Sequence, residues 1–232
     1  MIQTLEDIMR LVDTLDSYLR KSGCEFDERG FPIIPRSCYL SEIPDDVVTY
    51  KDRKSTLVKD ISRAALCFFC GDERIYPRFE RVFNEIDEYR KYMGVVGPDL
   101  TVTEDMDVEW QREIMLLNQL FLAVLATNGI KVIQNIRCGS NETLDCFKSI
   151  PPGIMCASGT LGCNPIQNPY DLRYLEKVFS VRPSYILIYG KRDPIMENQL
   201  ETAGLPFKVY RDSHTRHKTR TRLKAQKWRT PS

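Results

Sequence analysis

Between residues 64 and 210 short β-rich runs alternate with helical patterns, and this alternation leaves few folds open to the chain. The runs fall at 64–69, 94–97, 131–136, 154–157, 184–189 and 207–210. The helical patterns between them fall at 77–91, 107–128, 142–149, 169–180 and 194–203. Strands that return through a helix must lie parallel, and their right-handed crossovers place the helices outside the sheet. The expected class is therefore α/β, with repeated βα units forming a mostly parallel sheet. Local pattern leaves two architectures open, an irregular or incomplete barrel and an open doubly wound sheet. The additional N-terminal segments tilt the expectation toward the barrel-like form.

Residues 2–21 carry Ile2, Leu5, Ile8, Met9, Val12, Leu15 and Leu19 at helical spacing, and Gly23 stops the pattern. Residues 24–57 hold Pro32, Pro35 and Pro44 among short apolar runs, which reads as an irregular lead-in with one hairpin. Further on, Asn168-Pro169 and Asp193-Pro194 each set a capping residue before a proline suited to a first helical turn. Three segments are expected: a helix and lead-in over 1–58, an α/β domain over 59–210, and a basic tail over 211–232.

Charge separates the tail from the rest. It holds eight of the 33 Lys and Arg but one of the 32 Asp and Glu, about +7 behind a body of about −6. Arg216, Lys218, Arg220, Arg222, Lys224, Lys227 and Arg229 are interleaved with Trp228 and both histidines, His214 and His217. That texture points to a nucleic acid or another polyanion as partner, against the plainer reading of a solubilising terminus. No apolar run is long enough to span a membrane, and the acidic start MIQTLEDIMRLVDTL does not read as a secretory signal. A cytoplasmic location without membrane contact is expected.

At 232 residues, 42% of them hydrophobic, the chain can build a core without staples. Its eight cysteines are then expected as buried thiols. Cys67 and Cys70 form a CxxC inside an apolar run, a poor setting for a zinc knuckle.

In either architecture a ligand would bind outside the carboxyl ends of the strands. The residues found there include Asp72, Asp99, Asn135, Arg137, Ser158, Gly159 and Gly190. Asp99 and Asp72 suit a general acid/base pair or a site for a divalent cation such as magnesium. Asn135 and Arg137 suit the orientation of an anionic substrate. Residues 158–162, SGTLG, suit backbone contacts to phosphate. Each has a structural alternative: Asp72 as a turn residue after Gly71, Asp99, Thr103 and Asp105 as caps of the helix near 107, and SGTLG as a tight loop. The chain has no GxxxxGK[ST], GxGxxG or GxSxG, which removes three common enzyme signatures. The body before the tail has no histidine, so proton transfer there falls to Asp, Glu, Lys, Tyr or Cys.

Several short motifs carry a resemblance. They are Gly97-Pro98-Asp99-Leu100-Thr101 with Asp105-Met106, and Asn128-Gly129-Ile130-Lys131-Val132-Ile133-Gln134-Asn135. Ile150-Pro151-Pro152-Gly153, the 158–162 loop, Arg182-Pro183-Ser184 and Ile188-Tyr189-Gly190 follow in order. Over roughly residues 60–212 the chain resembles an uncharacterised domain family carried by bacteria, bacteriophages and integrative elements. The resemblance implies a phage or mobile-element setting and marks Asp99, Asn135, Arg137 and Gly190 as motif positions. It carries no activity. The expectation is a domain that binds or acts on a nucleotide or nucleic acid at its rim, with the tail adding polyanion affinity. The alternatives are a non-catalytic protein that binds a host or phage macromolecule, and a virion component.

Overall fold

The structure, a computed structural model, describes residues 4–55, 58–161, 163, 165–212 and 215–216. Seven strands form one sheet: β1 (Asp46–Thr49), β2 (Ala64–Phe68), β3 (Gly94–Pro98), β4 (Val132–Asn135), β5 (Met155–Gly159), β6 (Tyr185–Gly190) and β7 (Phe207–Arg211). Their spatial order is their sequence order, and every neighbouring pair is parallel. A doubly wound sheet reverses its strand order at a switch point; this one never reverses, so it coils in one direction into a nearly closed barrel.

Strand periodicity sorts the core into two layers. Val47, Ala65, Cys67, Phe69, Val96, Ile133, Met155, Ala157, Leu187, Tyr189 and Tyr210 point inward and pack together inside the barrel. Alanines at Ala65 and Ala157 leave room for Phe69, which stacks on Tyr189 with centroids 5.8 Å apart. Leu40 belongs to this inner cluster, donating its backbone N–H to Val132 O at 2.9 Å from the amino end. The alternate residues, such as Leu66, Phe68, Val95, Val132, Ile186 and Ile188, face the surrounding helices.

Those helices are α1 (Leu5–Lys21), α2 (Asp72–Glu80), the single turn α3 (Ile86–Tyr89), α4 (Val108–Thr127), α5 (Arg173–Val181) and α6 (Pro194–Thr202). α4 packs against β3 and β4 on one side and against α1 on the other. It is buried nearly all round, and the apolar stripe of α1 (Ile8, Leu11, Leu15, Leu19) is its outer cover. No helix among the described residues is long and apolar enough to cross a membrane.

β1 and β7 are the sheet's two edges, and side chains bridge them. The Tyr210 hydroxyl and Lys208 Nζ both donate to Pro44 O, at 2.6 and 3.0 Å. Arg216 forks onto Asp46 at 2.9 and 2.7 Å.

Six features differ from the sequence-based expectation. The sheet has a seventh strand, β1, which lies within the expected lead-in; it is four residues long, just after Pro44, too short to show a period. The lead-in and the α/β domain are thus parts of one barrel, and the expected hairpin is a single antiparallel bridge, Phe26 to Pro32. In place of one helix over 77–91 the chain forms α2, which begins at Asp72 and holds Pro77 in its interior, then a 3-10 turn, Val82–Glu85, and α3. The segment at 142–149 is a 3-10 helix, Asn141–Phe147. α5 starts at Arg173 behind Leu172, because Asn168 instead accepts from Tyr170 N in a turn. Asp193, by contrast, caps α6 at Ile195 N and Met196 N with Pro194 in the first turn.

Candidate functional site

The carboxyl ends of β3 to β6 open into one cleft of about 610 Å³. A cavity of that size suits a small organic ligand. Asp99 stands just after β3, Asn135 ends β4, Arg137 follows it, and Ser158 and Gly159 end β5; all five line the cleft. Lys191 enters after β6, and Tyr174 and Lys177 reach in from α5. Val102, Ile136, Ile166 and Met196 supply an apolar wall.

Asn135 organises the acidic corner. Its Nδ2 donates to Asp99 Oδ1 and to Pro98 O, both at 2.9 Å. Burial pushes the Asp99 carboxyl above its ordinary range, nearby Arg137 and the Asn135 hydrogen bond pull it back, and Asp72 adds to the rise. A buried carboxyl held up in this way is suited to taking and giving a proton. Asp72 does not line the cleft. Its carboxylate accepts from Thr101 N at 3.2 and 3.3 Å, tying the first turn of α2 to the loop after β3. Burial raises it as well, against the Thr101 hydrogen bonds.

The cationic side is less committed. Arg137 Nη1 donates to Cys163 Sγ at 3.8 Å, and its Nε is buried without a hydrogen-bond partner. Among the described residues, Lys177 and Lys191 have no carboxylate within ion-pairing distance. The other charges on the wall are engaged: Glu104 with Arg173, Arg192 with Glu197, and Asp193 with Ile166 N and the start of α6. Burial pushes the Tyr174 hydroxyl up to about 12, with Ser158 opposing.

The described part of the 158–162 segment, residues 158–161, is bound to the loop after β6 through Thr160. Thr160 Oγ1 accepts from Lys191 N at 2.8 Å and donates to Lys191 O at 3.0 Å. A Cβ at Gly159 would lie 2.6 Å from the Phe69 ring, so this glycine lets the barrel's aromatic stack reach the rim. Gly190 has φ +135° and a Cβ there would meet Thr160 Oγ1 at 2.3 Å; it lies off the cleft wall. Packing thus gives both glycines a reason of their own. Gly162 lies outside the described residues.

The cysteines of the CxxC sit in different packing environments. Cys67 points into the barrel, where burial pushes its thiol well up, and burial takes Cys70 up to about 11. Among the described residues no three His, Cys, Asp or Glu side chains are grouped to hold a metal ion. Of the basic tail, Arg216 is paired with Asp46. Lys218, Arg220, Arg222, Lys224, Lys227, Trp228 and Arg229 lie outside the described residues, as do His214 and His217.

Two groups escaped the sequence reading. Tyr174 and Lys177 belong to the stripe Tyr174, Lys177, Val178, Val181, and a lysine in an otherwise barrel-facing stripe was the available signal. Gln111, Asn118 and Gln119 put three buried amides on one face of α4, visible in sequence only as interruptions of an apolar run.

Fold and cleft define a seven-stranded parallel βα barrel, not quite closed, with a ligand-sized opening at the carboxyl ends of four strands. The chain belongs to the family described as a domain of unknown function, DUF4417, whose model matches residues 26–208. That match begins after α1 and ends within β7, so it takes in the whole barrel except the final residues of the last strand. No curated protein and no solved structure matches the chain.

Proposed function

We propose that the cleft binds a nucleotide, or a nucleotide within a nucleic acid, and acts on it through Asp99. The observation that carries this is the convergence of a buried, raised carboxyl with Arg137, Lys177 and Lys191 on one cavity that also has an apolar wall. The three cations suit phosphate oxygens, Arg137 through its planar fork. The wall of Val102, Ile136, Ile166 and Met196 suits the face of a base. Asp99 is the general acid or base, positioned by Asn135. A divalent cation such as magnesium would bind through Asp99 together with phosphate oxygens, since this ion needs few protein carboxylates. Asp72 supports Asp99 from outside the cleft. The basic tail adds polyanion affinity through counterion release. The phage or mobile-element setting and a cytoplasmic location complete the proposal.

A calorimetric titration with adenosine and guanosine mono-, di- and triphosphates and a short single-stranded oligonucleotide tests it. Arg137→Ala should weaken the best ligand by roughly tenfold or more, the size of a lost charged hydrogen bond. Asp99→Asn should abolish any turnover while the chain stays folded. Equal binding by the parent and both variants would sink the proposal. The tail's part is read by ending the chain after Arg216, which keeps the Asp46 fork; salt-sensitive polyanion binding should then disappear.

A second reading is a non-catalytic protein that binds a host or phage macromolecule. It is supported by Tyr170, Leu172 and Phe179, which are 87%, 50% and 52% exposed around α5. A stoichiometric protein partner whose capture ignores cleft substitutions but is lost on Phe179→Ser would favour it.

A further inference from the structure

Behind the cleft, between β4 and α4, lies a second cavity of about 10 Å³. That is room for one water molecule and nothing larger. Its walls include Asn118 from α4, Gln134 from β4, and Arg137. Each of these three carries a buried polar atom without a hydrogen-bond partner: Asn118 Oδ1, Gln134 Oε1 and Arg137 Nε. Asn118 and Gln134 are only 8% and 4% exposed, so open solvent does not serve them. Buried polar groups without partners are rare and costly.

The chemistry of the three atoms is specific. Gln134 is held in one orientation because its Nε2 donates to Asn135 O at 3.0 Å, which leaves the carbonyl oxygen unused. Gln119, also on this wall, is already satisfied: it donates to Cys146 O at 2.8 Å and accepts from Ser149 Oγ at 3.0 Å. What remains is two acceptors and one cationic donor. An anion would face two amide oxygens, and a cation would face a guanidinium. A water molecule has two hydrogens to give and a lone pair to receive.

We propose that this cavity holds one ordered water, which accepts from Arg137 Nε–H and donates to Asn118 Oδ1 and Gln134 Oε1. The water and the two amides hold the Arg137 guanidinium from behind and leave its terminal nitrogens for the cleft. Asn118 and Gln134 are therefore positioning residues, although neither lines the cleft. The water site stands on its own geometry; the consequence for ligand binding rests on the proposed function.

A crystal structure of the full chain without ligand, at a resolution that orders buried water, decides the first part. Density within hydrogen-bonding distance of all three atoms is expected. An Arg137 turned out of the cavity, or its Nε bonded to a protein atom, would overturn the proposal. The second part uses the Arg137 Nε–H signal in nitrogen-15 NMR, assigned by its disappearance in Arg137→Lys. The signal should exchange slowly in the parent chain, and that slow exchange should be lost in Gln134→Met and in Asn118→Leu. Unchanged exchange in both folded variants would refute the positioning role. Pyrophosphate titration is the separate check on the cleft: both variants should bind it more weakly than the parent, though more tightly than Arg137→Ala. A parent chain that ignores pyrophosphate would count against the cleft reading and leave the water to be judged by diffraction and NMR.

Discussion

The two halves of the barrel's carboxyl rim carry similar residues and use them differently. Around β1 and β2 most of the polar groups are consumed by one another, although Arg78 Nε is buried without a hydrogen-bond partner. Thr49 donates to Asp52 at 2.6 Å, Asp72 accepts from Thr101, and Arg78 pairs with Glu85 while donating to the Tyr50 hydroxyl at 2.6 Å. Tyr50 and Tyr89 both donate to Glu85, at 3.1 and 2.6 Å. From β3 to β6 the polar groups converge on open space, and Lys177 and Lys191 there have no carboxylate within ion-pairing distance among the described residues. A row of acids and bases at strand ends is therefore not yet a site. The site is where unspent groups line an open cleft, as Arg137 does and Arg78 does not.

The largest test of this contrast sets one arginine against another. Arg78→Ala strips a mostly buried carboxylate of its partner, and such losses cost about 3 kcal/mol or more. A melting temperature lower by roughly 6–12 °C is expected for a chain of this size. Arg137→Ala should shift melting by a few degrees at most. Equal losses would erase the distinction between the halves.

Gly159→Ala comes next, because it drives a methyl into the Phe69 ring at the boundary between barrel interior and cleft. Overpacking of this kind costs about 1–3 kcal/mol. Phe69→Leu in the same chain should recover part of the loss in denaturant unfolding. No recovery would mean that Gly159 matters for a reason other than the aromatic stack.

Asp99→Asn should act in the opposite direction. Burial raises this carboxyl above its unfolded pKa of about 3.9. Between the two values the folded chain binds the extra proton, so stability falls as pH rises through that window. Above it the folded chain bears the full penalty of a buried charge. The asparagine removes the penalty and still accepts from Asn135, so the variant should melt above the parent at pH 7 and alongside it below about pH 4. A variant that melts lower at pH 7 would make Asp99 a structural residue like Asp72. The smallest effect is expected at the edge closure: Arg216→Ala breaks a partly exposed fork and should cost no more than about 1 kcal/mol in urea unfolding.

Much of this was readable in advance, for definable reasons. Six strands, β2 to β7, and the helices α1, α4 and α6 were marked by apolar period and punctuation, and the structure places them within a few residues of those marks. β1 was not, because Val47 and Val48 are its only apolar residues, between Pro44-Asp45-Asp46 and Thr49. Asp99, Asn135, Arg137, Ser158 and Gly159 could be named from their places after strands. Lys177 had only a weak signal, a lysine in an otherwise apolar stripe, which by itself resembles any solvated charge. The role of Asn118 was invisible, because it depends on Gln134 and Arg137 across the layer.

Spacing along the chain was enough to set the βα repeat, the parallel sense of the strands and most of the rim residues. Only the tertiary structure decided that the sheet coils into a barrel, that Lys208, Tyr210 and Arg216 bridge its edges to Pro44 and Asp46, and that Asp99 faces the cleft while Asp72 does not. The physical reason is common to all three. Which strand lies beside which, and whether a polar atom is already satisfied, depends on partners far away in sequence, as Asp72 depends on Thr101 and Tyr210 on Pro44.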